Sequence, residues 1–203
     1  MEGCVKKLAL CMFLALPASA AHAAVIDFEA LAHNGSGYNY VGNSYVESGF
    51  QFTKGQGEPF DFGVMGSGEG RYTGSAALFN DTIGGTTTLS RVGGGVFTLS
   101  SIDVSELNYA ASVFVNFVGE LLGGGQVFAT IQTDGTFGME SFLFNSAWTN
   151  LVSVSWTQDS PFHQFDNVNV EPGSVSPVPV PAGGLLLVGA LAGLAALRRK
   201  ARA

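Results

Sequence analysis

The stretch GVFTLSSIDV, residues 95–104, decides the fold class. Phe97 and Leu99 alternate with polar neighbours. After one extra residue, Ile102 and Val104 resume the alternation. Period two marks a strand with one face in a core, and the skipped phase predicts a β-bulge between the halves. Similar short runs flank this one on both sides: VIDFE (25–29), GFQFT (49–53), FDFGV (60–64), AALFN (76–80) and TTTLSRV (86–92) before it. SVFVNFVG (112–119), QVFATIQT (126–133), MESFLFN (139–145), LVSVSWT (151–157) and QFDNVNV (164–170) follow it. Val152, Val154 and Trp156 define another apolar face. Gly84-Gly85, Gly93 to Gly95 and Gly123 to Gly125 are turn or bulge punctuation, and Asp134-Gly135 between two such runs signals a hairpin. No window of residues 24–170 keeps a 3.6-residue period for three turns. The expectation is an all-β domain, an antiparallel two-sheet jelly-roll sandwich whose first and last strands pair.

The chain's two ends read differently. Residues 1–23 carry Lys6 and Lys7, then the apolar run Leu8 to Leu16, then small residues at Ala18-Ser19-Ala20 and Ala21-His22-Ala23. This is the pattern of a secretory signal peptide, cut by signal peptidase after Ala23, with Ala20 as the rival site. Both cysteines, Cys4 and Cys11, fall inside it, so the exported chain has no disulfide or thiolate chemistry. From Ala24 to Pro181 there are fifteen Asp or Glu residues against Lys54, Arg71 and Arg91, a formal charge of −12. Such a surface repels nucleic acid and anionic lipid, and tolerates divalent cations and neutral sugars.

Residues 171–182, EPGSVSPVPVPA, hold four prolines and read as a semi-rigid linker. Residues 183–203 begin with an uncharged apolar run and end in Arg198, Arg199, Lys200 and Arg202. The apolar run from Gly183 to Leu197, about fifteen or sixteen residues as a helix, spans roughly 24 Å, enough for one transmembrane helix if the bilayer thins and the basic residues snorkel. The cluster Arg198, Arg199 and Lys200 then anchors the tail on the cytoplasmic side of the inner membrane, with the β domain outside. Val178-Pro179-Val180-Pro181-Ala182, the Gly/Leu/Ala run and the terminal basic cluster together resemble the PEP-CTERM family of sorting signals. The likeness is closest to the Val-Pro-Leu-Pro-Ala variant, with Val180 in place of its leucine. It covers residues 177–202. It implies a Gram-negative host, recognition by an exosortase-type peptidase, and release to the cell surface or to a matrix of extracellular polysaccharide.

Within the domain, VIDFE at the start and HQFDNVNV at the end resemble galactose-binding-like jelly rolls and carbohydrate-binding modules. That resemblance implies a structural calcium between the ends, with Glu29 and Asp166 as carboxylate ligands and Asn167 adding an amide oxygen. Calcium needs six to eight oxygens, so backbone carbonyls would complete the shell. Tyr38, Tyr40 and Tyr45, in the Gly/Asn-rich loop HNGSGYNYVGNSY (33–45), and Tyr72 in GRYTG are candidate sugar platforms. Trp156 and Trp148 read as core. No G-x-S-x-G elbow or phosphate loop is present, and His33 and His163, the histidines after residue 23, lack metal-ligand spacing. Asp27 and Glu29 on one strand face would be the carboxylates of a polysaccharide-acting enzyme. The expectation is instead a non-enzymatic, exported protein that associates with extracellular polysaccharide. A glycan-acting enzyme and an adhesin for a protein partner are the alternatives.

Overall fold

The structure, a computed structural model, describes residues 22–108 and 111–173. The body of the signal peptide, the sorting motif and the basic tail lie outside the described residues. Among the described residues no helix is long and apolar enough to cross a membrane.

Among the described residues the domain has thirteen strands and one 3-10 turn. In chain order the strands are β1 Ala24–Ile26, β2 Tyr38–Gly42, β3 Ser44–Glu47, β4 Phe50–Lys54, β5 Phe62–Met65, β6 Leu78–Asn80 and β7 Thr86–Arg91. They continue with β8 Phe97–Glu106, β9 Phe114–Leu121, β10 Gln126–Gln132, β11 Glu140–Leu143, β12 Leu151–Thr157 and β13 His163–Pro172. All pairs are antiparallel. One layer runs β2-β5-β6-β13-β8-β11, with β1 also on β13; the other runs β3-β4-β7-β12-β9-β10. A single bridge, Leu151 to Phe97, joins them. The first and last strands pair as expected, Ile26 opposite Val168.

The phase skip in 95–104 has a physical counterpart. Along β8, Phe97, Leu99, Ile102 and Val104 are buried, and the register against β13 shifts on either side of Asn169. One shift leaves Ser100 as the extra residue on β8, and the other leaves an extra residue on β13 near Asn167, whose φ is 47°. Left-handed backbone in a non-glycine residue is tolerated best by Asn and Asp. The two bulges offset each other and let both strands keep their apolar faces inward.

The core is aromatic. Phe165 of β13 meets Trp156 of β12 with ring centroids 4.9 Å apart, nearly perpendicular, and contacts Phe28 and Phe52 at 5.7 Å. Phe117 joins Trp156 at 5.3 Å. Trp148 is buried and stacks at 4.6 Å on Phe144. Aromatic pairs of this kind, edge to face or tilted, add about 0.5–1.5 kcal/mol each to the area buried.

Three expectations are corrected. Val152 is 37% exposed, because β12 carries a bulge between Leu151 and Ser153 that puts Leu151 and Val154 inward instead. The segment 33–45 is not one loop: it holds β2 and β3, joined through Asn43. Asp134-Gly135 does not close a hairpin. Gly135 has the positive φ of a turn, 84°, but β10 pairs with β9 and β11 with β8, so the chain crosses between layers there. The tight hairpins lie at Ser48-Gly49, both with positive φ, and at Gly123 to Gly125.

Candidate functional site

Strand β2 ends its layer and carries Tyr38 and Tyr40 on one face, 40% and 54% exposed. Their rings meet edge to face with centroids 5.4 Å apart, and Tyr38 rests on Phe79 at 5.6 Å. Period two explains the pairing, since residues i and i+2 share a strand face. Beside them is a cleft of about 160 Å³ lined by Tyr38, Met65, Phe79, Leu107 and Phe162, with Arg71, Asp81 and Asn108 as its polar groups.

These polar groups are held in place. The Tyr40 hydroxyl donates to Asp81 Oδ2 at 3.1 Å. A hydrogen bond with Tyr38, burial and the Asp81 carboxylate together hold the Tyr40 hydroxyl above its ordinary value, so it stays a neutral donor. Arg71 Nε donates to Glu69 Oε1 at 3.2 Å, and Glu69 Oε2 accepts from Gly37 N at 3.1 Å. The Arg71 guanidinium keeps the Glu69 carboxyl below its usual range. Gln164 Nε2 clamps the Arg71 carbonyl at 2.9 Å. The outcome is an aromatic wall with an acceptor, a cation and an amide around it.

The other predicted tyrosines are elsewhere. Tyr45 is on β3, at the opposite end of the strand order, half-buried against Phe28 at 5.6 Å. Its hydroxyl donates to Glu47 Oε2 at 2.8 Å, and burial raises its pKa. It finishes the sandwich edge. Tyr72 is tied by its backbone N–H to the Glu69 carbonyl and does not line the cleft. Its neighbour Arg71 does, and the signal was available: it is one of three cations in an acidic domain. Asp81, Asn108 and Phe162 carried no such mark.

The chain ends do converge, around Asp166. This carboxylate is fully buried. Oδ2 accepts from Ser75 Oγ at 2.5 Å and Oδ1 from Asn167 N at 2.7 Å. Burial pushes Asp166 up to about 6; the Ser75 and Asn167 hydrogen bonds pull it back, and the charges of Glu29 and Asp103 push it further up. Asp103, opposite Asp166 in register, is a member that sequence reading missed. Glu29 lies in the 3-10 turn Glu29–Leu31, and its Oε1 accepts from Ala76 N at 2.9 Å. Asn167 turns its amide N–H, not its oxygen, to Asp103 Oδ2 at 2.9 Å. Glu29, Asp166 and Asn167 therefore gather where the chain ends meet, with Ser75 and Ala76 donating to the two carboxylates and Asn167 offering its amide N–H rather than its oxygen. Asp27 and Glu29 do not share a strand face, because β1 stops at Ile26 and Phe28 takes a left-handed φ of 54°.

No protein-family model matches the chain, and no curated protein matches it. Among solved structures, the chain is similar to a family 29 carbohydrate-binding module at 13% identity, over 80% of this chain and 99% of that one, with TM-score 0.40. A family 11 carbohydrate-binding module from a cellulosomal cellulase of Clostridium thermocellum is similar at 9% identity, over 70% and 97%, with TM-score 0.35. A family 11 carbohydrate-binding module from Clostridium thermocellum in complex with a β-1,3-1,4-mixed-linked tetrasaccharide is similar at 10% identity, over 70% and 99%, with TM-score 0.35. At these values the site has to be read from its own residues.

Proposed function

We propose that this chain is an exported, non-catalytic protein that holds extracellular polysaccharide in the cleft beside Tyr38. The observation that carries the reading is the cleft's make-up: exposed tyrosine rings on a strand at the end of its layer, ringed by Arg71, Asp81 and Asn108. A sugar ring has apolar C–H faces and a rim of hydroxyls. Flat, amphipathic rings accept the faces, and a few fixed polar groups accept the rim. Among the described residues Asp81 is the single carboxylate lining the cleft, whereas glycoside hydrolysis uses a pair. The acidic surface favours a neutral glycan over a polyanion. Export and sorting by an exosortase-type peptidase rest on residues 1–23, the motif Val178 to Ala182 and the basic tail.

The test is affinity electrophoresis of the full chain against neutral bacterial and plant polysaccharides. Tyr38→Ala and Asp81→Ala should each weaken retardation tenfold or more while the circular dichroism stays unchanged. Retardation equal to the parent's in both variants, or capture of a protein partner with no glycan bound, would remove the reading. Product release from the same glycan would turn it toward an enzyme.

A further inference from the structure

We infer that the domain binds one calcium ion between Glu106, Asp134 and Glu140, away from the place the chain's ends suggest. One carboxylate oxygen from each of these residues lies within 4.8 Å of the other two. Ligands at 2.3–2.6 Å put opposite oxygens of one calcium ion about 5 Å apart, so this spacing lets all three reach the same ion. Glu106 is the last residue of β8 and is fully buried. Its Oε1 accepts from Gly135 N at 2.9 Å, but Oε2 has no hydrogen-bond partner. A buried, unpartnered carboxylate oxygen is costly, and two further carboxylates beside it compound the cost.

Among the described residues no lysine or arginine pairs with this cluster. The cations among the described residues are Lys54, Arg71 and Arg91. Lys54 pairs with Asp61, Arg71 with Glu69, and Arg91 reaches the Val96 carbonyl. The donor set is oxygen only, which selects a hard cation over zinc or copper. The loop is already folded to present it: Asp134 N donates to Glu140 Oε1 at 2.9 Å, and Thr136 N to Asp134 Oδ1 at 2.6 Å. Gly135 suits this loop, because its φ of 84° favours glycine and a Cβ would come within 3.3 Å of Ser112 N. The remaining oxygens of the shell come from water. The loop carrying Asp134 crosses from β10 in one layer to β11 in the other. An ion there staples the two layers together in a domain whose residues 24–173 contain no cysteine.

The site stands on its own residues and not on the cleft. The test uses the full chain in detergent, stripped with chelator and then titrated with calcium chloride, with calorimetry and melting temperature as readouts. One saturable site is expected, with a rise in melting temperature of roughly 5 °C or more at saturation. Glu106→Gln keeps the shape and removes the charge, and should weaken binding at least tenfold. Glu140→Gln, at a partly exposed position, covers the case in which Glu106→Gln does not fold, and should do the same. Asp166→Asn should leave calcium binding intact. No saturable calcium binding, or binding lost in Asp166→Asn but kept in Glu106→Gln and Glu140→Gln, would overturn the inference. Glycan retardation of the same samples is scored separately, so failure of the ion site and failure of the cleft are distinguishable.

Discussion

Two buried acids sit on one pair of strands, three residues apart in the ladder, and they are treated in opposite ways. Asp166 of β13 faces Asp103 of β8, and each of its oxygens accepts a short hydrogen bond. Glu106 of β8 faces His163 of β13, and one of its oxygens accepts nothing. The bulge at Asn167 makes the difference. It turns a backbone N–H and an amide toward Asp166. At Glu106 the ladder is regular, so backbone donors point along the sheet, and among the described residues a single N–H from the crossing loop donates to it. Burial alone therefore does not say how an acid is satisfied: local backbone irregularity does.

The largest effect that would break this comparison is Phe165→Ala. Phe165 of β13 lies between the ladder rows of the two acids and packs the core rings of both layers together. Its loss should cost about 3–5 kcal/mol and make both acids accessible together. Urea unfolding and hydrogen exchange at residues 103–106 would measure both, and protection surviving at Glu106 alone would show the two places to be independent.

The second prediction concerns pH. Burial lowers His163 to about 4 from its ordinary 6.5. Above pH 6.5 neither the folded nor the unfolded chain holds the proton. Between 6.5 and 4 only the unfolded chain takes it up, so stability falls as pH drops, by about 3 kcal/mol across the window. Asp166 slopes the other way. Raised to about 6 from 3.8, it keeps its proton in the folded chain while the unfolded chain has lost it. Its contribution is therefore present below pH 3.8 and is lost as pH rises through 6. His163→Gln should remove the acid-side loss and leave a curve that falls from pH 4 to pH 6. A curve with the parent's slope would show that His163 is not the group responsible.

The smallest of the three effects sharpens the Asp166 side. Asp166→Asn removes the buried charge and keeps one acceptor for Ser75 or Asn167. After screening and the loss of one charge-assisted bond, stability at pH 7 should rise by about 1 kcal/mol, with no gain at pH 4. Equilibrium unfolding at the two pH values checks it. A loss at pH 7 would mean that Asp166 needs its charge, as a cation ligand would.

The strands were legible because a half-buried strand repeats every two residues, and a run such as Phe97 to Val104 needs no partner to display it. Even its bulge was visible, as a skipped phase. The tyrosines at 38 and 40 could be marked as a pair, but not told apart in role from Tyr45. All three have similar Gly/Asn-rich neighbours, and it is strand order that sends β2 and β3 to opposite ends of the path. Asp81, Asn108 and Phe162 come to the cleft from separate loops and left no local trace.

The acids show the same division. By itself the sequence determined that this is an all-β domain, strongly acidic and without cysteine after residue 23. Those properties follow from composition and from periodicity along the chain. Only the tertiary structure decided which acids are buried together, and that Asn167 gives a donor where an oxygen was expected. Only it placed Asp134 and Glu140 beside Glu106. Such proximity depends on the crossing between layers and on ladder register, and neither is written in any single stretch of residues.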